Sequence, residues 1–460
     1  MPSPYREIAR IRPVEPLRER SAVLCSARPG ETTPVPRPAP FVTVLGTVAT
    51  QGPASGPASL VLRSGEDSFA ALWDPISGAV ALGVTTGGPQ PASTTHRSRL
   101  HGTLARRPAA MALTLTGTHL TLLTQEAGTW VARARHDLTG RVDVRDEAWL
   151  AGLQAGTGGS GVFTQVRAGC FGQLGLRDVR VVTTSSGEPV LEDGAVLLSA
   201  TCAGPGFFDT AHTALFSLDP HSLTLRHHSD LWFRRPDRPG SFGDHAVHVV
   251  RDARTSTAAE PGAATWLVAT STWSDFHTET NPHVRATLAR TAVDLTAGEH
   301  LLDTTELPLP VDGLGSVGVW DPHLLRDGDL WRVAYVSARK FFVFHPVLAS
   351  GPSLDALRLD ASVRRRATEG TTFARLDGQL RVLASDGRDN PRGQREHYPV
   401  FDLALHEVGR LDAPYPTNIP WPSLVEVDGR RLLITFDGTP AAGDLLGYGT
   451  HGDLVVLEQD

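Results

Sequence analysis

Four acidic residues stand at one place in a recurring pattern: Asp178 in LRDVRVV, Asp244 in GDHAVHVV, Asp321 in WDPHLL and Glu369 in TEGTTFARL. Each opens an apolar run that passes through a turn into a second run. A fifth segment, PWPSLVEV, puts Trp421 at that place. Side chains alternate faces along a strand, so an acid at the first position shares its face with the residue two further on. On that register Asp178, Asp244, Asp321, Glu369 and Trp421 form one layer. Arg180, Ala246, His323, Thr371 and Ser423 lie beneath it, with His248 one step deeper. Carboxyls held together raise one another's pKa, which a purely structural repeat has no reason to build. Cleavage of a glycosidic bond does call for such a set: one carboxylic acid kept protonated beside one carboxylate.

The elements that must carry these residues are strands. The second runs are GAVLLSAT, TWLVATST, DLWRVAYVSA, GQLRVLASDG and GRRLLITFDG, and no helical period interrupts them. The repeat recurs every 50 to 80 residues or so, near the period of propeller blades once loops are allowed. Residues 165–460 are therefore expected to form a five-bladed β-propeller whose innermost strands line a channel. Upstream, residues 41–150 hold short alternating runs such as FVTVLGTV and MALTLTGTHLTLLTQ, separated by Gly and Pro. These predict a smaller β-sandwich, similar to the concanavalin-like modules often attached to carbohydrate-active enzymes. Residues 1–40 read as an N-terminal segment whose Pro-rich end, GETTPVPRPAP, is an extended linker. The expected fold class is all-β.

The propeller half resembles the five-bladed glycoside hydrolases of family 43, the arabinanase and β-xylosidase group, and more distantly the fructan hydrolases. The resemblance rests on LRDVRVV, WDPHLLRDGD and TEGTTF, in that order along the chain. It implies Asp178 as general base, Asp321 as the residue that orients and tunes the acid, and Glu369 as general acid. It departs from the family pattern in carrying Asp-Val in the first motif and Glu-Gly-Thr in the fourth. Arg177-Asp178 is also similar to the Arg-Asp-Pro of the fructan enzymes, where that Asp holds sugar hydroxyls. Asp244 stays open as an alternative base. Arg177, Arg180, Asp244, His248, His323 and Trp421 are the expected substrate-binding residues. The implied activity is a glycoside hydrolase, inverting, on a small furanoside, pyranoside or oligosaccharide, with the two working carboxyls about 6.5–9.5 Å apart. A non-catalytic glycan-binding propeller, or a lyase or transferase on the same scaffold, are the alternatives.

Composition narrows the partners. The 460 residues are 40% hydrophobic and 20% charged with net charge -7, which gives no basic excess for nucleic acid or a membrane surface. No apolar run is long enough to span a bilayer, and the first twenty residues lack the apolar core of a secretion signal, so a cytoplasmic protein is expected. Cys25, Cys170 and Cys202 show no paired spacing and read as free thiols. No cofactor and no metal are expected. His245 and His248 beside Asp244 are three apart on a strand and point to opposite faces, against a shared ion. Some family relatives hold a channel ion such as calcium near a histidine of the fifth blade, but WPSLVEV has none. Each acid also has a plainer reading: Asp321 as a turn-starter before Pro322, Asp178 as an ion-pair partner of Arg177 or Arg180, Glu369 as a solvated loop acid. Trp421, Trp320, Trp273 and Phe276 suit either sugar stacking or packing between blades.

Overall fold

The computed structural model describes residues 4–50, 56–88, 90–252, 265–341, 343–438, 443–446 and 452–460. It is nearly all β: among the described residues the one α-helix is Glu147–Ala151, capped by Asp146 accepting from the Trp149 N–H. No described helix is long and apolar enough to cross a membrane. The three cysteines are buried and unpaired with one another.

The first part of the chain builds two six-stranded antiparallel sheets. One runs Thr129–Asp137, His119–Glu126, Ala110–Thr116, Phe41–Val48, Phe163–Cys170 and Val23–Cys25; the other runs Thr32–Pro34, Gln154–Gly159, Ala58–Ser64, Asp67–Trp73, Val80–Thr86 and Ala92–His96. Alternation sends Val42, Val44, Leu113 and Leu122 from the first sheet into one core with Leu60, Leu62, Phe69 and Leu82 from the second. The stretch expected as a linker behaves differently. Thr32–Pro34 pairs with Gln154–Gly156, and Val35 and Ala39 are buried, because alternate residues of this Pro-rich run still present apolar groups to the core. Phe163–Cys170, partly inside the expected propeller half, pairs with Phe41–Val48.

From Leu176 onward the chain forms antiparallel four-strand units. Their first strands are Leu176–Val181, His245–Asp252, Gly318–Asp327, Thr368–Leu376 and Ser423–Val427. The last unit takes its fourth strand from the other end of the chain: Tyr5–Ile11 lies antiparallel to Asp453–Gln459, with Tyr5 opposite Gln459. The first two units join at their outer edges, where Leu225–Arg234 runs parallel to Gly298–Glu306, making one eleven-stranded sheet. That pairing satisfies edge N–H and C=O groups that would otherwise stand open.

A buried charge cluster fixes the N-terminal segment to the first unit. Arg18, 2% exposed, donates to Asp230 through Nε and Nη2 at 3.2 and 3.0 Å. His212 and His227 approach the same carboxylate at 2.9 and 3.0 Å. Cys202, His212 and Asp230 lie close enough together to suggest a metal site. Asp230 is already engaged by Arg18, however, and burial pushes the Cys202 thiol up to about 12, so the donor set is that of an ion-pair network. Replacing Arg18 with Ala strands a buried carboxylate, and chemical denaturation should show a loss of about 3–5 kcal/mol.

Candidate active site

The first strands of the four acid-bearing units share a defect that the sequence register did not include. Each has a β-bulge at the same point: between Arg177 and Arg180, His245 and His248, Trp320 and His323, and Glu369 and Thr372. The bulged residues Asp178, Ala246, Asp321 and Gly370 have φ of 51°, 61°, 57° and 71°. Asp and Gly tolerate this left-handed backbone better than most residues. At Gly370 a side chain is also excluded, since a Cβ would stand 2.3 Å from Trp421 Cδ1.

An inserted residue re-aims the side chains before it. The equivalent positions are therefore Asp178, Ala246, Asp321 and Gly370, preceded by Arg177, His245, Trp320 and Glu369. Glu369 is not at the position of Asp178 and Asp321 but one residue earlier, and Asp244 is two earlier. All four residues preceding the bulge line a single cavity of about 380 Å³, together with Asp178, Asp321 and Trp421. His245 was missed as a site residue because alternation counted from Asp244 turns it away. Its Nδ1 faces the Gly243 carbonyl at 3.1 Å and burial holds its pKa low, so the neutral ring carries its proton on Nδ1 and leaves Nε2 as an acceptor.

Asp321 is held by its backbone. Its N–H donates to Ser271 Oγ at 2.9 Å, and its carbonyl accepts from Arg180 Nη2 at 3.0 Å. Arg180 Nη1 donates to the Pro322 carbonyl at 2.7 Å. Two side chains, Ser271 and Arg180, from two neighbouring strands thus pin a left-handed residue. Burial raises the Asp321 carboxyl well above the ordinary range, and the charge of Glu369 adds to this while Arg180 opposes it; the Gly370 N–H reaches the carboxyl as a donor. Asp321 Oδ2 is buried without a hydrogen-bond partner. Glu369 is pushed up to about 7, first by burial and then by the charge of Asp178, against the Trp320 N–H and Arg177. Trp320 Nε1 donates to Glu369 Oε2 at 3.3 Å.

Four expected binding residues lie elsewhere. Asp244 is outside the cavity, its carboxylate gripped twice by Arg235, with Nε to Oδ2 at 2.7 Å. Arg180 is fully buried, with its guanidinium 4.6 Å from the Trp421 ring centroid, and spends Nη1 and Nη2 on backbone carbonyls. His248 and His323 stack on one another at 3.7 Å in the layer below. His248 Nδ1 accepts from the Leu324 N–H at 3.0 Å, and burial drives both rings well below the ordinary histidine range. None of these four lines the cavity, because the bulge shifts the face expected for them.

No family model matches the chain, and no curated protein matches it. Solved structures with similar chain traces are glycoside hydrolases. One is a β-xylosidase, 13% identical, covering 62% of this chain and 92% of its own with a TM-score of 0.41. Another is the catalytic domain of a family 62 α-L-arabinofuranosidase from Coprinopsis cinerea, 13% identical, covering 62% and 90% with a TM-score of 0.38. An α-L-arabinanase from Penicillium chrysogenum, complexed with arabinobiose, is 10% identical and covers 93% and 99% with a TM-score of 0.36.

Proposed function

We propose that the chain is a glycoside hydrolase whose site is the cavity holding Asp178, Asp321 and Glu369. In this reading the four-strand units are the five blades of a propeller, closed by Tyr5–Ile11, and the two six-stranded sheets are a sandwich spanning about residues 23–170. The observation that carries the proposal is the convergence of Asp178, Asp321 and Glu369 on one cavity, where burial and the charge of Asp178 push Glu369 up to about 7. That is the asymmetry glycosidic cleavage needs.

Glu369 gives its proton to the glycosidic oxygen as the bond from that oxygen to the anomeric carbon breaks. Asp178 takes a proton from the water that attacks the same carbon from the opposite face. Attack by water implies inversion, and the two proton states are restored by exchange with solvent. Arg177 and the bare Nε2 of His245 supply a donor and an acceptor for sugar hydroxyls, and Trp421 offers a flat wall. The substrate is a carbohydrate glycoside. A panel of aryl glycosides and short oligosaccharides incubated with wild type and Glu369→Gln tests the proposal. Wild type should release sugar from at least one of them, and a chain that cleaves none defeats it.

The role of Asp321 changes from the one expected of it. The expectation was that its negative charge raises the pKa of Glu369. What raises Glu369 is burial and the charge of Asp178, and Asp321 is not among the causes, so Asn at position 321 should leave that titration in place. Asp321 acts as a positioning residue, through the Gly370 N–H next to Glu369. Asp321→Asn should lower kcat by about 10-fold or more and leave the basic limb of the pH profile near pH 7. A basic limb displaced by a full pH unit in that variant would restore the charge-tuning role.

A further inference from the structure

The cavity lining holds an aromatic cluster as well as the acids, and the glycosidase reading does not use that cluster. Besides the acids the cavity is lined by Phe207, Phe208, Trp273, Phe341, Phe344 and Trp320. These rings are locked against each other: Phe208 stacks on Trp273 at 4.5 Å, Trp273 meets Trp320 edge-on at 5.2 Å, and Phe276 stacks on Phe341 at 4.2 Å from behind. Phe207 sits at the rim, 47% exposed. Ala203, Ala211 and Ala246 complete this aromatic wall. Two of its polar atoms are already engaged: Trp320 Nε1 donates to Glu369, and Thr201 Oγ1 accepts from the Ala246 N–H at 3.2 Å.

We propose that this wall is the leaving-group subsite and that it takes a flat apolar aglycone, an aryl or fused-ring group, in place of a second sugar. The inference rests on the glycosidase reading for its place in the reaction. The wall's chemistry sets the preference. A second sugar ring would bring several hydroxyls against rings and methyl groups that cannot pair them, at about 1–3 kcal/mol for each one buried unsatisfied. An aryl group loses no hydrogen bonds there, and gains offset-stacked and edge-to-face contacts with the rings of Phe208 and Trp273. The cavity is in the size range that encloses one small molecule. The carboxyls hold the sugar, and the bond to be cut lies between them and the aromatic cluster, at Glu369. The substrates selected are small-molecule glycosides, with polysaccharide chains excluded from this side.

Binding of a bare aglycone tests this without any turnover. 2-Naphthol titrated into the full chain should quench tryptophan emission saturably. Its Kd should rise at least 10-fold in Trp273→Ala and at least threefold in Phe207→Ala, whose exposed rim position spares the fold. Arabinobiose at the same concentrations should not displace 2-naphthol. Absence of saturable 2-naphthol binding, an affinity unaffected by both wall substitutions, or displacement by arabinobiose overturns the assignment. Because the readout is binding, these results stand whether or not the panel of glycosides is hydrolysed, so the two proposals fail separately.

Discussion

Replacing Asp178 with Asn is expected to lower kcat/KM by about 10,000-fold at the pH optimum, the upper range for losing a general base, with no pH between 5 and 9 at which activity recovers. Amide and carboxylate have the same shape, and Asn is among the residues that tolerate the left-handed backbone at φ 51°, so the fold should survive. The substitution also removes the charge that helps raise Glu369, so any residual activity should lose its basic limb at lower pH than wild type. Asp244→Asn provides the contrast. It releases Arg235 in a buried setting, and should lower the melting temperature while sparing the pH profile of whatever folded protein remains. Steady-state kinetics and thermal denaturation of the two variants decide between the acids. A functional Asp178→Asn beside an inert, well-folded Asp244→Asn would assign the base to Asp244 after all.

Glu369→Gln should cost about 100- to 10,000-fold in kcat/KM on substrates whose leaving group needs protonation. It should also change stability in a pH-dependent way. The folded protein holds this acid at about 7, above its ordinary 4.5. A raised carboxyl pKa means that the folded state binds the proton more tightly than the unfolded chain. The stability this contributes is full below about pH 4.5 and is lost as the pH rises through about 7. Gln does not titrate, so the variant escapes that loss. Its melting temperature relative to wild type should climb between pH 5 and pH 8.5, by the equivalent of about 1–3 kcal/mol. A difference that stays flat across that range would show that Glu369 titrates as an ordinary carboxyl.

The fold and the site were legible in the sequence to different degrees, for physical reasons. Period-2 apolar runs broken by Gly and Asp turns carry all-β structure plainly, and the repeated hairpins from Leu176 onward were visible because each begins with a polar residue before a Val- or Leu-rich run. Pairing between distant segments has no local signature. Nothing in YREIARI announces Asp453–Gln459 as its partner, and Thr32–Pro34 looks like a linker until its neighbour strand is known. Of the acids, the sequence located Asp178, Asp321 and Glu369, which do line one cavity, but misjudged which positions are equivalent. One bulged residue per strand displaced Asp244, Arg180, His248 and His323 from the surface expected for them and brought His245 in. A signal existed in retrospect: Asp and Gly, the residues that best accept positive φ, recur at the bulge in Arg-Asp, Trp-Asp and Glu-Gly. Of the aromatic cluster the sequence singled out only Trp273, Trp320 and Phe276, for stacking or for packing between blades, because Phe207 and Phe341 join them from segments far apart in the chain.

The central claim is that Glu369 protonates the departing oxygen. The most direct test is a series of aryl glycosides of one accepted sugar, running from dinitrophenyl to phenyl leaving groups, assayed with wild type and Glu369→Gln. Wild type should show a shallow dependence on leaving-group pKa, because the acid supplies the proton. The variant should show a steep one, matching wild type on the dinitrophenyl substrate and falling by about 100-fold or more on the phenyl substrate. Two parallel lines, with the variant reduced equally on every leaving group, would contradict the assignment of Glu369 as the acid.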